Sequence, residues 1–194
     1  MPRAVGARGK VEQAAIELFA AKGIDGVAIA EIAAAAGVSQ GALYRHYPSK
    51  EELAWTLFSA AYLRTGAELD GIAAEHVALG ARIDGMVRHF CALYDRDPAL
   101  FRFMLLAQHG LLPRIAAGQR TPVDAIADVV AAAVRQGEIG QIDPFAATAV
   151  IMGILLQTAV FHIYGRVTGS LAARAPALAH AATTAVAALA AASA

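Results

Sequence analysis

Apolar positions recur along this chain at helical spacing from near its start almost to its end, and polar residues fill the intervals. Val11, Ala14, Ala15, Leu18 and Phe19 stand at i, i+3, i+4, i+7 and i+8. That spacing predicts a helix over 10–22 with one buried stripe, closed by Gly23. A second helix is predicted over 28–36, with Ile29, Ile32 and Ala33 inward and Gly37 ending it. The third is short, 39–46, with Ser39 placed to cap its N-terminus. Pro48 cannot continue that helix. Ser49 then caps a long fourth helix, and Glu52 three residues later completes a capping box.

Beyond about residue 66 the predicted helices become longer and more apolar. They cover about 79–94, 97–109, 121–137, 143–164 and 171–192. Asp97-Pro98, Thr121-Pro122 and Asp143-Pro144 supply three of the starts, because proline fits the first helical position and the preceding side chain caps it. The segment 112–120 reads as the most flexible connection. The alanine-rich run 172–194 is low in complexity, with Leu178, Val186 and Leu189 left as its apolar stripe. No internal repeat is visible, and β-branched alternation is missing, so the expected class is all-α.

Composition sharpens the picture. The chain has 194 residues, with Lys+Arg and Asp+Glu both 16. Zero net charge argues against a general nucleic-acid coat but not against a local DNA-binding face. Residues 1–50 hold six basic residues (Arg3, Arg8, Lys10, Lys22, Arg45, Lys50) against four acidic (Glu12, Glu17, Asp25, Glu31). Cys91 is the only cysteine, so no disulfide within the chain is possible and its expected role is packing. No charged-then-apolar leader opens the sequence. The stretch 144–165 has no formal charge and nearly the length of a bilayer span. Thr148, Gln157, Thr158 and His162 interrupt it, so it reads as a helix buried between subunits, and no membrane association is expected.

The segment 37–50 carries the chemistry. Phe19, Ile24, Ile29, Ile32, Val38, Leu43 and Tyr47 are the expected fillers of a small three-helix core. Leu43 and Tyr47 are spaced i, i+4 and face inward together, which leaves Gln40, Gly41, Ala42, Tyr44, Arg45 and His46 around the rest of the third helix. Such a face suits a DNA major groove. Gln40 can pair bidentately with adenine, and the Ala42 methyl can meet a thymine methyl. Ser39, Tyr44 and His46 can donate to phosphates, and Lys50 adds charge at the start of the fourth helix. An ordinary helical bundle with a polar face is the alternative reading. A nucleophile elbow, a phosphate loop, a catalytic carboxylate pair and metal-ligand spacing are all missing, so neither enzyme activity nor a cofactor is expected.

Residues 8–57 resemble the DNA-binding domain of TetR-family transcriptional regulators. The matching elements are Ala14-Ala15, Leu18-Phe19, Lys22-Gly23, Ile32-Ala33, Ala36-Gly37-Val38-Ser39, the run from Gly41 to Tyr47, and Ser49-Lys50-Glu51-Glu52-Leu53. The resemblance implies a helix-turn-helix DNA-binding domain over 5–65, with its motif at about 28–47, and a helical ligand-binding and dimerisation domain over 66–194. It implies contacts to double-stranded operator DNA from Ser39, Gln40, Gly41, Ala42, Tyr44, Arg45, His46 and Lys50. It further implies a bacterial, cytoplasmic homodimer, nucleoid-associated when bound, that represses from a palindromic operator until an unknown small-molecule effector releases it; the few polar groups among the candidate pocket residues suggest a largely apolar one. The fourth helix, with Trp55, Leu57, Phe58 and Tyr62, would transmit the change. Candidate pocket residues are Met86, His89, Phe90, Phe101, Met104, Gln108, His109, Met152, Gln157, Phe161 and His162.

The dimer is expected to form through 144–164 and 171–192, where Ala146, Ala149, Gly153, Ala181, Ala182 and Ala185 permit close approach. A DNA-binding dimer without any ligand stays open as an alternative. Two departures from the family pattern stand out. Val27 and Ala28 replace the usual threonine or serine that caps the second helix and touches phosphate. Tyr47 replaces the usual phenylalanine.

Overall fold

The computed structural model describes residues 6–192, and all regular structure among them is helical. The helices are α1 (Ala7–Lys22), α2 (Ile29–Ala36), α3 (Gln40–Tyr44), α4 (Lys50–Glu75), α5 (Leu79–Arg96), α6 (Pro98–Leu111), α7 (Pro122–Arg135), α8 (Pro144–Ile163) and α9 (Ala175–Ala192). Short 3-10 turns occupy Leu112–Arg114 and Ala172–Arg174. Residue 5 and residues 193–194, at the ends of the expected domain ranges, lie outside the described residues.

The helix boundaries follow local chemistry. Thr121 Oγ1 accepts the Asp124 N–H at 3.3 Å, while the Asp124 carboxylate accepts the Thr121 N–H at 3.0 Å, a complete capping box in front of Pro122. Asp143 Oδ1 takes the Phe145 N–H at 2.9 Å and starts α8 the same way. At α4 the box is only half as expected. Ser49 Oγ accepts the Glu52 N–H at 3.1 Å, but the Glu52 carboxylate turns to Arg114 Nη2 at 2.7 Å. The Arg114 guanidinium also lies 4.5 Å from the centre of the Trp55 ring. α4 continues well past residue 66, through two glycines, to Glu75.

The chain divides into two compact units. The first takes residues 6–61 and Pro98–Ala117, so α6 and the turn after it join the N-terminal helices although the chain order had suggested a boundary near residue 66. The reason is packing. Phe103 of α6 stacks on Phe19 of α1 with ring centres 5.6 Å apart, and both are almost wholly buried. Ile32, Leu43, Leu53 and Phe58 complete that core, while Ile24, Ile29 and Val38 are only half-buried.

The second unit takes Tyr62–Asp97 and residues 118–192. Leu69, Ile83, Met86, Val87, Ile126, Val130, Ile151 and Val186 build its core. Arg120 holds Asp70 with Nε at 2.7 Å and Nη2 at 2.6 Å, and Asp128 with Nη1 at 2.6 Å. The buried stripe of α9 is Ala175, Ala179, Ala182, Val186 and Ala190; of the expected stripe Val186 is buried, Leu178 half-buried and Leu189 exposed. Small side chains let α9 lie close against α5 and α8, which uses up Ala182 inside the unit. Along α8, Phe145, Ala146, Ala149, Gly153, Gln157 and Phe161 are exposed on one side. By length and composition α8 and the segment Ala172–Ala192 could each cross a membrane, though only 28% of each apolar window is buried within the chain.

Candidate nucleic-acid interface

The turn between α2 and α3 is set by backbone geometry. Gly37 has φ +67°, which an L side chain adopts only with strain. Its N–H donates to Ala34 O at 3.1 Å and the Val38 N–H to Ala33 O at 3.0 Å, closing the end of α2. Ser39 Oγ accepts the Ala42 N–H at 3.2 Å and opens α3. That bond uses the oxygen as acceptor and leaves the hydroxyl proton free to donate elsewhere. Leu43 and Tyr47 are anchored inside, 0% and 4% exposed. With those two fixed, the outward set follows: Ser39, Gln40, Gly41, Tyr44, Arg45 and His46 are exposed, and Ala42 and Lys50 are half-buried. Among the described residues, no hydrogen bond engages the side chains of Gln40, Tyr44, Arg45 or Lys50.

The two departures in the sequence have structural answers. Val27 is buried in the core, and Ala28 has only a methyl group at the N-cap of α2. The Glu31 carboxylate replaces part of the missing cap by accepting the Ala28 N–H at 3.1 Å, and Lys22 Nζ donates to its other oxygen at 2.9 Å. The hydrogen bond from Lys22, then that from Ala28, holds Glu31 below the usual carboxylate range. No hydroxyl stands at 27 or 28 to reach a phosphate. The Tyr47 hydroxyl donates to Glu12 Oε1 at 2.6 Å, and Arg8 Nε donates to the same oxygen at 2.8 Å. Burial alone would raise the Glu12 carboxyl; the hydrogen bonds from Tyr47 and Arg8 outweigh it and set it below its ordinary value. Glu12 was not legible as a partner in sequence, although a buried tyrosine hydroxyl needs one.

The candidate pocket residues divide between the two units. Phe101, Met104, Gln108 and His109 belong to the first, where Phe101 is buried and His109 exposed. Met86 and Phe90 are packed in the core of the second. There His89 Nε2 lies 3.1 Å from Glu68 Oε2. Met152 is half-buried, and Gln157 and Phe161 lie on the exposed side of α8. His162 is tied at both ring nitrogens. The Gly169 carbonyl, 2.6 Å from Nε2, can only accept, so Nε2 carries the proton and Nδ1 accepts from the Tyr94 hydroxyl at 2.9 Å. A separate hollow of about 500 Å³ in the first unit is lined by Phe19, Ala54, Phe103, Leu106, Ala107 and Leu111, together with Lys22, Asp25 and Glu51. Among the described residues, no group of three or more His, Cys, Asp or Glu could hold a metal ion.

A short helix anchored by two apolar residues, presented by a left-handed glycine turn and covered in hydrogen-bonding side chains, defines a helix-turn-helix DNA-binding module. Residues 13–55 match the family model for bacterial regulatory proteins of the tetR family. That model covers this module and not the rest of the chain. MftR of Mycobacterium tuberculosis, named as a transcriptional regulator of mycofactocin biosynthesis, is 40% identical over 62 residues, 32% of this chain. The match spans about a third (31%) of that relative's length. Among solved structures, the fatty acid degradation regulator FadR from Bacillus halodurans superposes with a TM-score of 0.80 at 18% identity, covering 93% of this chain and 96% of that one. FadR from Bacillus subtilis, solved in complex with stearoyl-CoA, gives 0.72 at 18% identity, covering 89% and 96%. At such identities the likeness shows the fold, which is the all-helical one expected.

Proposed function

We propose that this chain is a dimeric, sequence-specific transcriptional regulator that reads a palindromic operator through α3 and leaves it when a small apolar ligand binds. The observation that carries the reading is the outward set on α3 and the turn that follows it, with Gln40, Tyr44, Arg45 and His46 exposed while Leu43 and Tyr47 are buried. Gln40 is the base reader, and Tyr44, His46, Ser39 and Lys50 set register on phosphates. The dimer pairs α8 and α9 with the same helices of a second copy. The exposed Phe145, Phe161 and Tyr164, at 60%, 47% and 72%, are apolar surface that such pairing would cover. The role needs no catalysis or cofactor and places the protein in the bacterial cytoplasm, on the nucleoid when bound.

Repression is the expected sign of regulation, and an acyl chain is the first ligand class to test, on the strength of the stearoyl-CoA in the B. subtilis FadR complex. Shifting the dimer requires a ligand that binds the DNA-free state more tightly than the bound one.

Selection from random duplex DNA at about 150 mM salt, where weak phosphate contacts are screened, tests the central reading. The expected result is a palindrome with half-sites about one helical turn apart or slightly more. Replacing Tyr44 and His46 by alanine should abolish its binding with helicity and mass unchanged, and Gln40→Ala should change sequence preference more than affinity. No enriched sequence, or full binding by the double variant, overturns the assignment. Acyl-CoA of graded chain length, added to the protein–operator complex, then reads out release.

A further inference from the structure

We propose that Arg8 is a further DNA-backbone contact of the recognition unit, held in place by Glu12 and Tyr47. This rests on the DNA-binding reading above. Arg8 lies in the first turn of α1, far in sequence from α3, yet its guanidinium carbon is 6.0 Å from the centre of the Tyr47 ring. The Tyr47 ring is in turn 6.5 Å, centre to centre, from that of His46, a residue on the outward set. Arg8 therefore sits one ring away from the face assigned to DNA.

Its donors are divided in a way that suits a phosphate. Nε is spent on Glu12 Oε1 at 2.8 Å, and that same oxygen is held by the Tyr47 hydroxyl at 2.6 Å. A guanidinium has five N–H donors in a rigid plane, so fixing Nε aims the four N–H groups of the two terminal nitrogens, and with the Tyr47 hydroxyl as the one further side-chain partner beside Arg8 most of them stay open. The Arg8 side chain is 64% exposed, so those groups face water. An exposed i, i+4 pair adds little to stability by itself. Here the pair also orients a planar cation and ties the start of α1 to the residue after His46. Glu12 and Tyr47 are positioning residues, and Arg8 is the contact. A lysine at position 8 has a single nitrogen, which cannot hold Glu12 and still present a second donor in a fixed plane.

The test uses the full-length protein, the selected operator duplex and a scrambled duplex of equal length. Affinities are measured over a range of salt for wild type, Arg8→Ala, Arg8→Lys and Tyr47→Phe, with circular dichroism as the folding control. The expected result for Arg8→Ala is about fivefold weaker binding to both duplexes at about 150 mM salt, and a slope of log affinity against log salt reduced by about 1. Arg8→Lys should keep most of the slope and lose affinity; Tyr47→Phe should keep the slope. An unchanged slope in a folded Arg8→Ala protein that still binds the operator overturns the proposal and leaves the network structural. Wild-type protein that prefers no duplex overturns the DNA-binding reading itself, and this inference with it.

Discussion

Replacing Gly66 by alanine sets two effects against each other within one helix. In the interior of a helix alanine is more stable than glycine by about 0.5–1 kcal/mol, so local propensity predicts stabilisation. The tertiary structure predicts the reverse. A Cβ at Gly66 would lie 2.7 Å from the Arg120 carbonyl oxygen, 2.8 Å from the Thr121 carbonyl carbon and 3.1 Å from Thr121 Cα. All three are backbone atoms and cannot swing aside. Thr121 is also the cap of α7, and Arg120 bridges Asp70 and Asp128. Overpacking of this kind costs about 1–3 kcal/mol, so the net effect is a loss of about 1–2 kcal/mol. For a chain of this length that lowers Tm by about 2–8 °C.

Gly71 is the control, since it lies in the same helix with nothing within 4 Å of its would-be Cβ. Gly71→Ala should raise Tm by about 1–4 °C. Thermal melts followed by circular dichroism at one fixed protein concentration decide the matter, because a dimer's Tm depends on concentration. The reasoning is refuted if Gly66→Ala melts at or above the wild-type temperature.

Three further outcomes follow from the same geometry. Tyr47→Phe removes a donor to the Glu12 carboxylate, which is 30% exposed, and should destabilise by about 1 kcal/mol. Because the Glu12 carboxyl is held below its ordinary value, that contribution is complete above about pH 4.3 and fades as pH falls further. Denaturant titrations of both proteins at neutral and acid pH should therefore show a gap that narrows in acid; a constant gap contradicts the assignment. Ala28→Ser restores a hydroxyl cap to α2 and should raise stability by about 0.5–1 kcal/mol and tighten operator binding; weaker binding would show that no phosphate lies there. Cys91 is 3% exposed, and burial first, then Asp95, pushes its thiol up to about 11, so a thiol reagent at neutral pH should label it only after denaturation.

Much of the fold was legible in the sequence because its signals are local. Proline pairs and capping side chains set the starts of α6, α7 and α8 within a residue or two. Gly23 and Gly37 set the ends of α1 and α2. The inward side of α3 followed from Leu43 and Tyr47, which are buried together although the helix ends at Tyr44, two residues short of the expected 46. Where the reading slipped, a distant partner had intervened. Glu52 was expected to close its own capping box, but Arg114 draws its carboxylate away. Leu178 and Leu189 of α9 were expected inward with Val186, yet the buried stripe is Val186 and four alanines. The candidate pocket residues were chosen by residue type, and the chain distributes them over two units.

The sequence by itself determined that the chain is helical, where a recognition helix lies and which of its side chains face outward, because spacing, caps and a left-handed glycine act within a few residues. Only the tertiary structure decided that α6 joins the N-terminal unit through Phe103 on Phe19, and that Gly66 must lack a side chain beside Arg120 and Thr121. It also decided that Tyr47 joins Glu12, which Arg8 already holds from one turn away. Each of these depends on atoms more than thirty residues apart in sequence meeting within a few ångströms, and periodicity holds no information about that.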